Sequence, residues 1–278
     1  MKKIILFILI IALSPTLTCI ASNTFNDSIY IALFSKAEEA TSKGDWAEAE
    51  LYLTDAIHYN ESNPANIMLL SNLALIQFQQ GKDSIALQSI NVAVKIMPNS
   101  TTLSNRAKIL KAMGRIDEAY ADYETIINLD STLIEPRYMH GLIALSKLDL
   151  ATAQYDFFKL EQIAPGNNLT IKGKAFFYFY THQYEKAIPY YNKLIPLDNS
   201  AENYCNRATC NLIINNLQDA SSDISEAFKL YPNNGELYLL RAWLNRLYYR
   251  YDDAKLDAQR AIELGVSEER INAVLQSK

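Results

Sequence analysis

Small and large apolar positions recur along this chain at a fixed period, and that period predicts its elements better than any local stretch. An alanine stands at 49, 86, 119, 153, 187, 220 and 254, at spacings of 37, 33, 34, 34, 33 and 34. Twelve residues before each lies another small residue: Ala37, Ala74, Ala107, Gly141, Ala175, Ala208 and Ala242. Seven residues after each comes an apolar one: Ala56, Ala93, Ile126, Leu160, Leu194, Ala227 and Ala261. Leu53, Ile90, Tyr123, Phe157, Tyr191 and Ile224 follow the first alanine by four, so in a helix they share its face. Apolar spacings of this kind predict paired amphipathic helices of about a dozen residues each, joined by a turn. The small residues fit places where helix axes approach closely. A single hairpin cannot cover its own apolar face, whereas stacked copies bury it.

The turn and boundary residues carry a resemblance. Gly44-Asp45-Trp46, Gly81-Lys82-Asp83 and Gly114-Arg115 fall between the two helices of a unit, and Pro98, Pro165 and Pro232 close units. Ser71-Asn72-Leu73-Ala74, Ser104-Asn105-Arg106-Ala107 and Cys205-Asn206-Arg207-Ala208 mark first helices. With the period, these marks resemble the tetratricopeptide repeat (TPR) family over roughly residues 30 to 268. The resemblance implies an all-α, right-handed superhelical solenoid of about seven helix-turn-helix units plus a C-terminal capping helix. The units fall at 30–66, 67–99, 100–133, 134–167, 168–200, 201–234 and 235–266, with the cap at 267–278. Gly265 reads as a helix C-cap, and Ile271, Val274 and Leu275 give the cap one apolar stripe.

Three departures carry expectations of their own. The first unit has extra residues before Pro64, which predicts a looser connector. Leu148 and His182 replace the turn glycine, which predicts less tight turns in the fourth and fifth units. Pro189 falls inside a second helix and is tolerated there only near the first turn.

The first 21 residues read as an address. Lys2 and Lys3 precede an unbroken apolar run, Ile4 to Leu13, and a small-residue tail reaches Ala21 after Ser14-Pro15. That order is a secretory signal peptide, and the run is too short to span a bilayer, which takes roughly 20 residues. Cleavage after Ala21 leaves a short linker, 22–29; the alternative is lipidation at Cys19, although Thr16-Leu17-Thr18 fits a lipobox poorly. The expected location is exported, periplasmic or in the cell envelope, and an outer-membrane lipoprotein if Cys19 is lipidated.

Composition narrows the function. Of 278 residues 49% are hydrophobic, with 8 Gly and 8 Pro, which excludes a disordered or collagen-like chain. A net charge of −5 without a long basic run argues against nucleic acid as partner. Three cysteines make no disulfide framework, and Cys205 and Cys210, five apart on one helix, point about 140° apart. His58, His140 and His182 fall at different phases of different units, with no ligand spacing around them. No phosphate loop, nucleophile elbow or paired-acid motif is present. The chain reads as non-enzymatic, with no metal or cofactor expected.

Function then falls to the concave surface that the resemblance implies, where first helices of TPR proteins hold an extended peptide or a partner's helix. In the family's chaperone-binding members, Lys, Asn and Arg there clamp a C-terminal carboxylate; here Phe34 and Glu38 stand where that clamp wants Lys and Asn. The remaining candidates are Phe78, Lys108, Tyr138, Leu142, Lys172, Phe176, Phe179, Tyr180, Trp243 and Arg246. Asn72, Asn105 and Asn206 share one slot and serve either to bond a ligand backbone or to tie neighbouring helices. Phe176 and Phe179 read equally as groove and as core, because Phe177 and Tyr178 exchange roles with them under a small phase error. The expected function is a protein-interaction scaffold, with a self-assembling subunit or accessory part of an envelope complex as the alternative. Tyr248, Tyr249 and Tyr251 are the candidates for self-contact.

Overall fold

In a computed structural model, which describes residues 28–276, the chain is an all-α solenoid of antiparallel helix pairs. The signal-peptide reading and Cys19 lie outside the described residues. Fifteen helices and no strand are present among them. The chain divides into two compact units, 1–136 and 137–278.

The first unit holds three hairpins: α1 (Ser28–Lys43) with α2 (Trp46–Tyr59), α3 (Asn66–Gln79) with α4 (Asp83–Ile96), and α5 (Ser100–Ala112) with α6 (Ile116–Leu129). α2 packs on α3, α4 on α5, and α3 also touches α5, so first helices stack beside first helices. The second unit takes in α7 (Ile134–Ser146) from Arg137 onward, then α8 (Leu150–Ile163), α9 (Asn168–Tyr180), α10 (Tyr184–Leu194), α11 (Ala201–Ile213), α12 (Leu217–Leu230), α13 (Gly235–Leu247) and α14 (Tyr251–Glu263). α15 (Glu268–Gln276) closes this unit. Its Ile271, with Val274 and Leu275 beside it, covers Leu239, Ala242, Ala258 and Ala261, and Arg270 pairs with Glu236.

The small and large positions of the repeat are the core. The seven alanines from 49 to 254, their partners twelve residues earlier and the apolar residues seven later are all buried. Leu53, Ile90, Tyr123, Phe157, Tyr191 and Ile224 are almost wholly buried against them. The fourth repeat shows why the small residues are needed. A Cβ on Gly141 would come within 2.9 Å of the Phe157 ring, and one on Gly173 within 2.4 Å. Phe157 therefore sits between two helices that approach it only because each lacks a side chain there.

Two of the expected loosenings do not occur. Residues 60–65 are pinned, not slack: Asn66 Nδ2 donates to the Asn60 carbonyl (2.7 Å) and the Tyr30 hydroxyl donates to Asn66 Oδ1 (2.9 Å). The turns of the later repeats are as tight as those built on glycine. Leu148, His182, Asn215 and Tyr249 adopt φ of 58° to 61°, beside 74° to 79° for Gly44, Gly81 and Gly114. The same pair of backbone bonds closes them, as in Leu148 N to Leu145 O and Asp149 N to Ala144 O. Hydrogen bonding thus imposes the left-handed conformation on residues whose Cβ opposes it. Leu148 is 81% and Tyr249 78% exposed, so burial does not offset the strain. Leu148→Gly and Tyr249→Gly are each expected to raise stability by about 1 kcal/mol, read from denaturant midpoints at constant m-value. Pro189 lies in the second turn of α10, exposed, where the carbonyl of Glu185 loses its helical donor.

Candidate partner-binding surface

The first helices carry the candidate residues, and the surface is described for each unit in turn. In the first unit, Asn72, Phe78, Lys108 and Lys111 lie along α3 and α5. Lys108 pairs with Glu135 at 3.1 Å. Lys111 reaches solvent, yet its pKa is lowered, first by surrounding protein that displaces water and then by the Lys108 charge. Asn105 is turned to structure, because its Nδ2 donates to the Ser71 hydroxyl of α3 at 2.9 Å and ties one repeat to the next. Phe34 is buried in the core, and burial raises the pKa of Glu38.

In the second unit α9 supplies the most developed surface. Lys172, Phe176 and Tyr180 follow one another at four-residue spacing on one face. Lys172 Nζ lies 5.4 Å from the Phe176 ring centroid, and Tyr180 meets Phe176 edge-on at 6.2 Å. Asp198 and Glu202 approach the same ammonium at 3.8 and 3.7 Å. Burial and these two acids raise the pKa of Tyr138, whose ring contacts Phe157 at 6.1 Å. Tyr138 and Phe176 are nearly closed to solvent, at 6% and 8%, while Tyr180 is 58% exposed. Phe177 is buried as well, and Phe179 is half-buried against Tyr180, Tyr184 and Tyr191. Leu142, Asn206 and Arg246 are half-buried on α7, α11 and α13. Trp243 packs at the margin of a core formed by Ala208, Leu212, Ile224, Leu240 and Leu244.

A second system of side chains was not foreseen. In three repeats an arginine just before the small residue of the first helix meets an aspartate sixteen residues on. The bonds are Arg106 Nε to Asp122 (2.9 Å), Arg207 Nε to Asp223 (3.0 Å) and Arg241 Nε to Asp257 (2.9 Å). Asn91 and Asn192 of the preceding hairpins accept from Arg106 and Arg207. His140 takes the arginine's place in the fourth repeat, its Nδ1 2.5 Å from Asp156 Oδ2, while Arg137 donates to Oδ1 at 3.0 Å. The signal was a sixteen-residue Arg-to-Asp spacing repeated three times, hidden because each residue alone reads as surface charge.

The arrangement offers contact and charge. Among the described residues no group of three His, Cys, Asp or Glu side chains could hold a metal ion. Cys205 and Cys210 are free thiols whose pKa burial pushes up to about 12, which keeps them protonated and poorly nucleophilic. No helix among the described residues is long and apolar enough to cross a membrane.

Comparison with known proteins agrees with this architecture. The family model described as tetratricopeptide repeat matches residues 101–133. The human protein named tetratricopeptide repeat protein 6 is 27% identical over 134 residues, covering 48% of this chain and 25% of its own. The chain spans between a quarter and about half of the length of the curated relatives it matches. A solved tetratricopeptide repeat protein from Parabacteroides merdae is 28% identical, with a TM-score of 0.69 over 89% of this chain and 98% of that one. The structure of YrrB, described as a TPR protein with an unusual peptide-binding site, is 17% identical with a TM-score of 0.53, covering 66% of this chain and 96% of its own.

Proposed function

We propose, from a fold built of tetratricopeptide helix pairs, that this chain is a non-catalytic scaffold whose first helices hold an extended segment or a helix of a partner protein. The observation that carries this reading is the strip on α9, where Lys172, Phe176 and the exposed Tyr180 run along one helix face beside Asp198 and Glu202. The exposed Tyr180 ring supplies contact area at small entropy cost, while Phe176, nearly closed to solvent beneath Lys172, holds the ammonium in place, and the charges set register and orientation. YrrB, a TPR protein of like fold, has a peptide-binding site of its own. Leu142, Asn206, Trp243 and Arg246 belong to this reading as further candidates of the second unit, and Asn72, Phe78 and Lys108 as candidates of the first unit taken by itself. Export to the periplasm or cell envelope is part of the proposal and rests on the sequence of residues 1–21, with lipidation at Cys19 as its variant.

A photo-crosslinking side chain placed at Tyr180 tests the reading, with the same group at Leu256, exposed on the second helix α14, as control. Crosslinking to a protein from Tyr180 alone is expected. Lys172→Gln combined with Tyr180→Ala should lower that capture roughly ten-fold, with little change in melting temperature. Equal crosslinking from both positions would remove the groove from consideration. The competing reading, self-assembly, is favoured by the exposed Tyr248, Tyr249 and Tyr251 of the last repeat, and light scattering at working concentration separates the two.

A further inference from the structure

The face of α9 opposite the groove strip carries a cluster of its own. Two residues of helix rotate a side chain by about 200°, so Lys174 and Tyr178 point away from Lys172, Phe176 and Tyr180. They meet Phe158 of α8 and Tyr190 of α10. Lys174 Nζ lies 4.2 Å from the Phe158 centroid and 5.0 Å from that of Tyr190, and it pairs with Glu161. Tyr178 and Tyr190 stack at 5.6 Å with an interplanar angle of 29°. Phe158 contacts Tyr178 at 6.0 Å. The ammonium groups of Lys186 and Lys193 stand 5.8 and 5.7 Å from the Tyr178 and Tyr190 centroids. On the adjoining turn of α8, Tyr155, Phe158, Lys159 and Gln162 border a shallow cleft.

This site breaks the chain's own rule. At the same register the third, sixth and seventh repeats set arginine against aspartate, which neutralises the groove between successive second helices. Here the aspartate is replaced by Tyr190, Glu161 of α8 pairs with Lys174, and Glu185 of α10 stands exposed beside Lys186. Lys159, Lys186 and Lys193 form no ion pair among the described residues, Lys159 donating to Gln162 and Lys186 to Gln183, on a chain whose net charge is −5. Tyr178 and Tyr190 already hold each other and the ammonium groups, so the rings are occupied and do not stand open to stack a sugar or a base. Their effect is to hold lysine side chains in place, which reduces the entropy those chains would lose on binding. The surface therefore offers two positive points held at tyrosine rings, Lys186 and Lys193, with Lys159 at the border of the neighbouring cleft on α8.

We propose that this outer face of α8 and α10 is a second docking site, taking an acidic polypeptide segment whose Asp and Glu carboxylates meet Lys159, Lys186 and Lys193. A polypeptide fits better than nucleic acid, because three cations on an acidic chain neutralise few phosphates. The test uses the full chain and a short fluorescent peptide of alternating Glu and Ala blocks, followed by anisotropy at about 50 mM salt, where screening is weak. Lys186→Glu with Lys193→Glu is expected to weaken binding roughly ten-fold, and Lys36→Glu with Lys95→Glu, also unpaired but in the first unit, by less than about two-fold. Tyr178→Leu, which frees a lysine without changing charge, should weaken it as well. Tyr180→Ala in the groove should leave it unchanged, which keeps this site's failure distinct from that of the groove. Equal losses from the two double variants, or tighter binding of a single-stranded oligonucleotide of the same length, would overturn the proposal.

Discussion

Gly173→Ala will destabilise the second unit by about 2–3 kcal/mol, although helix propensity by itself favours alanine by about 1 kcal/mol. The sign is therefore diagnostic. The new Cβ would fall 2.4 Å from Cδ1 of Phe157, a fully buried ring. The ring cannot retreat, because Gly141 on the other side already lies where a Cβ would come within 2.9 Å of it. Relief must come from separating helices α7, α8 and α9, which uncovers apolar surface. Phe157→Leu, matching the residue that the first repeat carries at Leu53, should cost about 1 kcal/mol alone and recover most of the loss in the double variant. Denaturant unfolding of the four proteins measures the coupling. Additive effects would mean that Gly173 is tolerated for some reason other than the ring.

Asp156→Ala is expected to cost about 3–5 kcal/mol, the largest effect of any single polar substitution here. Asp156 and Arg137 are each 3% exposed at the side chain, and His140 shares the same carboxylate. Removing it withdraws one anion from two buried basic groups at once, and neither can turn to water without opening the helix pair. The corresponding Asp257→Ala should cost less, since Arg241 is 40% exposed at its side chain and can rehydrate. A hydrogen-exchange comparison should place the loosened amides of Asp156→Ala mainly on α7, α8 and α9, because in a repeat array each hairpin touches chiefly its neighbours. Loss spread evenly over the molecule would contradict that locality.

The helical frame was legible because it depends on residue size at fixed spacings. Ala49, Leu53 and Ala56 can be recognised as one buried face without coordinates, and so can each later copy. The candidate surface was legible only in part. Lys172, Phe176 and Tyr180 share one face of α9 by their spacing, but Phe176 and Phe177 are both buried, since a ring at the edge of a face is covered or not according to what the next helix brings. Asn105 could not be assigned between ligand and neighbour until Ser71 was seen 2.9 Å away. The turns at Leu148 and His182 were misread for a different reason. Their side chains disfavour positive φ, yet the backbone bonds that close each hairpin are shared with the glycine turns and prevail over that local preference.

By itself, the order of residues determined the number of hairpins, their buried face and the small side chains between them, because these follow from period and volume within about 34 residues. Only the folded chain decided which charges meet. Arg207 finds Asp223, Lys174 finds Glu161, and Lys186 settles beside Tyr178 without a carboxylate. Such pairings depend on the rotation of one helix against another, where two residues reverse the direction in which a side chain points.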